Sequence, residues 1–137
     1  MKAKKSWADK LHSPVPHKLK RMPIDIAGMK KGELCLVPSA KMVDDFIHAI
    51  PEGVSISVSE MRKTLARRYE AEVTCPIYTG FHLRTVAEAA CEAYVHGAKL
   101  IEITPVWRVL DETTPTTKKL SKRNAALLAA QRRREGI

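Results

Sequence analysis

Two helix starts close together in the middle of the chain limit its fold more than any other feature. Ser57, with Glu60 three residues later, forms a capping box in which each side chain can satisfy the other's free backbone amide. Pro76 suits the first turn of a further helix, where its missing amide would have had no partner. After the first start, Val58, Met61, Leu65 and Tyr69 fall on one face, while Arg62, Lys63, Arg67 and Arg68 crowd the rest. After the second, Leu83, Val86, Ala87, Ala90 and Tyr94 mark a buried face that runs to about His96, and Gly97 supplies a stop. Such a pair must pack its two apolar faces into one shared core.

The flanking segments fit around that pair. Leu34 to Val37 is an apolar run bounded by Gly32 and Pro38, which predicts a strand or extended segment. Ser39 can cap a helix carrying Met42, Val43, Phe46, Ile47 and Ile50 on one face, ended by Pro51 and Gly53. Leu100 to Ile103 alternates like a strand, residues 104–111 continue extended or looped, and residues 113–117 form a polar loop. A last helix starts near Ser121, carries Leu127 and Leu128, and ends in Arg132 to Arg134 beside Gly136. The expected fold is mainly α with short strands: a winged helix-turn-helix-like domain over residues 34–137. Residues 1–33, with Pro14, Pro16, Pro23, Gly28 and Gly32 and no sustained period, predict a basic irregular arm, in which Trp7 and Leu11 could anchor a short helix.

Several function classes drop out on composition. The longest apolar runs, such as Ala125 to Ala130, fall far short of the roughly 18 to 20 residues of a membrane span, and mean hydropathy is −0.24. The amino terminus has lysines and prolines where a secretory signal has an apolar segment, so the expected location is cytoplasmic, for a monomer. Cys35, Cys75 and Cys91 match neither a zinc pattern nor a disulfide framework, and the five histidines form no ligand pair, so neither metal nor cofactor is expected. Paired carboxylates, a phosphate-binding glycine loop and a nucleophile-base spacing are all missing, which leaves an enzyme of unrelated chemistry with little support.

Charge is unevenly spread. Residues 1–33 hold nine lysines and arginines against three acids, residues 34–117 hold eight against eleven, and residues 118–137 hold seven against one. Basic ends on one face would attract phosphate without reading sequence; the alternative is a pair of solvated ends that keep the chain soluble. In a helix-turn-helix the second helix enters a groove, and here its first half offers Tyr78, Thr79, His82 and Arg84 with no acid. Arg62 and Lys63 on the preceding helix add cations. Against this stands an ordinary amphipathic helix in a packed bundle.

Four groups of residues carry a resemblance to a known family. They are Ile50-Pro51-Glu52-Gly53, Leu83-Arg84-Thr85-Val86, Pro105-Val106-Trp107-Arg108-Val109, and Leu127-Leu128 followed by Arg134-Glu135-Gly136. In this order residues 50–137 resemble the DNA-binding domain of the methylated-DNA cysteine methyltransferases, and especially the alkyltransferase-like proteins that share the domain without its reactive cysteine. The resemblance leaves residues 1–33 unexplained. It implies a non-enzymatic protein that binds duplex DNA in the minor groove, recognises alkylated guanine by nucleotide flipping, and hands the lesion to a repair-protein partner. Arg84 matches the arginine inserted into the base stack when a nucleotide is flipped out; the plainer role is a surface arginine on phosphate or on Glu88.

The departures bear on chemistry. The family's active motif is Pro-Cys-His-Arg-Val, whose thiolate takes the alkyl group. Here Val106 stands at the thiol position and Trp107 at the histidine position, so alkyl transfer by that mechanism is impossible. Glu135 matches the family's glutamate and is expected to be structural, pairing with Arg108. Val58 replaces the usual tyrosine at the flipping step. The implied base pocket is Val58, Val106, Trp107 and Arg108, with Trp107 either an aromatic wall or a core residue. The rival from another class is a protein-interaction module that kept the winged fold without DNA binding, and the acidic middle section favours it.

Overall fold

The computed structural model describes residues 5–137, which are mainly helical with one small three-stranded sheet. In chain order the elements are helix α1 (Trp7–Leu11), strands β1 (Lys18–Arg21) and β2 (Leu34–Val37), helices α2 (Ala40–His48) and α3 (Val58–Arg68), strand β3 (Val73–Thr74), and helices α4 (Pro76–Val95) and α5 (Lys122–Glu135). The helix ends follow local chemistry closely. Ser39, Ser57 and Ser121 each accept the amide of the residue three positions on, at 3.1 Å. Glu60 does not close the box back onto Ser57; its carboxylate lies 3.9 Å from Lys63. Past the end of α4, Gly97 at φ +104° lets Ala98 donate to Ala93 O and Gly97 to Tyr94 O, satisfying two otherwise free carbonyls. The end of α3 makes the same turn with Glu70 at φ +55°, a conformation that costs a residue with a Cβ about 1 kcal/mol.

The main core lies where the helices meet. Val43, Phe46, Ile47 and Ile50 from α2 and its end, Met61 and Leu65 from α3, Leu83, Val86 and Ala90 from α4, and Leu128 from α5 surround Val106, Trp107 and Leu110. Each fully buried leucine among them contributes about 1.5–3 kcal/mol relative to exposure. The link between α3 and α4 is locked rather than loose: Arg62 donates from Nε and Nη2 to Thr74 O at 3.1 and 2.9 Å, and Thr74 Oγ1 donates to Arg62 O.

The structure corrects the reading of the amino-terminal arm. β1 pairs antiparallel with β2, Lys18 opposite Val37 and Lys20 opposite Cys35, and β3 adds to the other side of β2 in parallel. Met22 and Met29 are buried with Cys35, Val37 and Cys75 in a second, smaller core. A line drawn at residue 34 therefore divides a paired hairpin. β1 is held by backbone pairing and exposes all four side chains, Leu19 included, so no buried face marks it in the sequence. The strand expected at residues 100–103 is also absent: Leu100–Glu102 is a 3-10 turn that leaves Ile101 at 92% exposure. Leu100 and Ile103, three apart, face inward together, as a helix with three residues per turn requires. A further 3-10 turn over Thr117–Lys119 closes the polar loop and buries Thr116 and Thr117. All three cysteines are buried and free, as expected. No helix among the described residues is long and apolar enough to cross a membrane.

Candidate nucleic-acid interface

Two polar centres stand out, each built on an arginine and a carboxylate. The first gathers at Glu135, the last residue of α5, whose side chain has 0% exposure. Its carboxylate accepts from Trp107 Nε1 at 2.5 Å, from Arg108 Nε at 2.9 Å and Nη2 at 3.1 Å, and from the Gly53 amide at 2.8 Å. Arg108 Nη1 donates to Ile50 O at 2.7 Å, Arg132 Nη1 donates to Trp107 O at 2.6 Å, and Arg134 pairs with Glu52 at 3.0 Å. Burial alone would raise the Glu135 carboxyl, but the donors Arg108, Gly53 and Trp107, with the Arg108 charge, outweigh it and hold the group at about 2. The pairing of Glu135 with Arg108 is as expected from sequence.

This centre is closed. Val106 is 0% and Trp107 2% exposed, Val58 is half-buried against the core, and Arg108 spends its guanidinium on Glu135 and Ile50. Of the four residues expected to line a base pocket, Trp107 and Arg108 are bound to Glu135 at the end of α5, Val106 is buried in the main core and Val58 packs against that core; Trp107 is a core residue with a polar tip. An open groove of about 720 Å³ lies elsewhere, between residues 110–118 and α5.

The second centre is Arg84, on the outer face of α4. Its side chain is 42% exposed, its guanidinium lies 5.4 Å from the Trp7 ring centroid, and its Nε is 3.7 Å from Glu88. That distance is too long for a hydrogen bond, and Nε is buried without a hydrogen-bond partner among the described residues. Trp7 is brought there by α1, which packs on α4 and directs the amides of Trp7 and Ala8 to the Glu92 carboxylate, both at 3.4 Å. Lys10 adds its ammonium 4.2 Å from the same indole. Arg84 is thus held by an aromatic face and a distant carboxylate, with no hydrogen bond from its guanidinium to any of the described residues.

The other candidate contacts scatter. Tyr78 is exposed, and with Ile77 and Phe81 it forms an uncovered apolar surface on the first turns of α4, Phe81 reaching 64% exposure. Thr79, expected at the interface, is fully buried and donates to Cys75 O at 2.7 Å, so it offers nothing outward. His82 is half-buried, and desolvation lowers its pKa against the opposing pull of the Pro38 backbone. Arg62 is committed to Thr74, while Lys63 is exposed. Burial first, then Glu88, pushes the Cys91 thiol up to about 11, which leaves it a poor nucleophile. Sequence alone does not mark Trp7, Lys10 and Glu92 as site residues; Trp7 and Glu92 lie far apart in the chain, and only the early tryptophan hints at an anchor. Comparison with protein-family models, curated proteins and solved structures gives no match to this chain.

Proposed function

We propose that this chain is a non-enzymatic, alkyltransferase-like protein with a winged helix-turn-helix unit that binds duplex DNA through Arg84 and the start of α4. The observation that carries the reading is the meeting of separated segments at one carboxylate. Ile50 and Gly53, Trp107 and Arg108, and Glu135 itself belong to three of the four groups of residues on which the resemblance rests, and hydrogen bonds join them in one cluster. The indole of Trp107 takes the seat that the resemblance gives to a histidine, and Val106 beside it has no atom that could accept an alkyl group. In this reading the protein engages DNA and leaves the covalent chemistry to a repair-protein partner.

Lesion recognition asks more of the molecule than duplex binding does, because Val58, Val106 and Trp107 would have to part to admit a base. The test is fluorescence anisotropy with matched duplexes, with and without one O6-methylguanine, at two salt concentrations. Equal and salt-sensitive binding supports generic duplex recognition, and preference for the modified duplex extends it to alkylated guanine. Arg84→Ala should weaken binding about tenfold, the equivalent of ~1.4 kcal/mol. Unchanged affinity in that variant overturns the groove assignment.

A second reading has its own observation. Ile77, Tyr78 and Phe81 form an exposed apolar surface of the kind that docks proteins, and the middle of the chain carries a net negative charge. Failure of both duplexes to bind at low salt transfers the function to a protein-interaction module.

A further inference from the structure

We propose that β1 is the backbone-contacting edge of the DNA interface, with Lys18 and Lys20 on phosphates beside the groove that receives Tyr78 and Phe81. The inference rests on the duplex-binding reading and names contacts that the resemblance, confined to residues 50–137, does not supply. Register places the lysines. Lys18 lies opposite Val37 and Lys20 opposite Cys35, and directly opposed residues project to the same side of a sheet. Cys35 and Val37 face the smaller core, while Leu36 between them faces the main one. Both lysines therefore border the face that also holds Cys75, the residue that begins α4.

A further link ties this edge to the start of α4. The Cys75 amide, at the start of α4, donates to Leu36 O of β2 at 2.9 Å. Strand edge and helix start are thus both fastened to β2. Their charge is one-sided: α4 has no acid from Pro76 to Ala87, and neither Lys18 nor Lys20 has an ion-pair partner among the described residues. Arg21, by contrast, is committed to Glu72 and Gly32 O, which fastens the hairpin to the α3–α4 link. β1 also stands at the outside of the sheet with all four residues exposed.

Free cations on a strand edge beside exposed aromatic rings fit a phosphodiester strand better than an acidic peptide. A duplex offers phosphates at the groove's rim to the lysines and sugar and base surfaces inside it to the rings. The lysines then act as the wing that residues 100–103, folded into a turn, do not provide.

The test compares the full chain with Lys18→Gln/Lys20→Gln and with Lys118→Gln/Lys119→Gln, which removes equal charge next to α5. Duplex affinity is measured by anisotropy across about a fourfold rise in salt, and folding is checked by circular dichroism. The β1 double variant should lose about 1.8 from the slope of log affinity against log salt, so its affinity falls about tenfold less than wild type's over that range. The control pair should keep the wild-type slope. Phe81→Ala should weaken binding with the slope unchanged. An unchanged slope in the β1 variant, or an equal loss in the control pair, overturns the inference while duplex binding stands. A wild-type chain that binds no duplex at the lowest salt overturns both.

Discussion

Glu135 and Arg84 sit in centres made of the same chemical parts, an arginine, a carboxylate and a tryptophan, and the two could hardly be held more differently. At Glu135 every oxygen has donors at 2.5–3.1 Å and the carboxylate has no exposure. At Arg84 the nearest carboxylate is 3.7 Å away, Nε has no hydrogen-bond partner among the described residues, and the tryptophan rides on a five-residue helix. Removing an ion from water is repaid only when its hydrogen bonds are met. The first centre meets them and joins α5 to the turn after α2 and to residues 107–108. The second leaves an arginine free to exchange its partners for others.

The largest expected effect comes from breaking the closed centre. Glu135→Ala leaves the Arg108 charge, the Trp107 indole N–H and the Gly53 amide without their acceptor, and should cost about 3–5 kcal/mol in urea unfolding. A loss below about 1 kcal/mol would mean that the carboxylate is no more structural than the loosely held Arg84.

Acid should separate the centres next. The Glu135 carboxyl is held at about 2 in the fold against an ordinary value of 4.5. Its contribution is therefore fully present above 4.5 and lost as pH falls from there through about 2, because the unfolded chain takes up the proton first. Wild type should lose stability over that window. Glu135→Gln should be less stable at pH 7 and lack this part of the acid dependence. Parallel curves for the two proteins would remove the claim that Glu135 dominates the window.

The smallest effect probes the loose centre. Trp7→Ala removes the aromatic face from Arg84 and should cost about 1 kcal/mol or less. If Arg84 must leave Trp7 to reach DNA, the same variant should bind duplex about threefold more tightly, ~0.6 kcal/mol. Weaker binding would instead make Trp7 part of the contact surface.

What could be foreseen from sequence divides along the same line as the physics. Helix starts at Ser39, Ser57, Pro76 and Ser121, and the stop at Gly97, depend on residues within one turn of themselves and were readable as such. β1 was not, because Lys18, Lys20 and Arg21 carry no pattern of burial and the strand exists through its partner. Residues 100–103 misled because an alternating apolar run also satisfies a three-residue turn. The pairing of Glu135 with Arg108 came through the resemblance. The closure around Val106 and the docking of Trp7 beside Glu92 are contacts across long stretches of chain that no local rule reaches.

The chain contains two tryptophans, and the fold assigns one to each centre. They make a built-in pair of optical reporters. Trp107, at 2% exposure, should emit at short wavelength and be shielded from iodide, while half-buried Trp7, beside Lys10 and Arg84, should emit to the red and be quenched readily because two cations concentrate the anion around it. Each single-tryptophan variant then watches one region without an added dye. Displacement of α1 by a ligand and unfolding of the body become separate signals from the same sample.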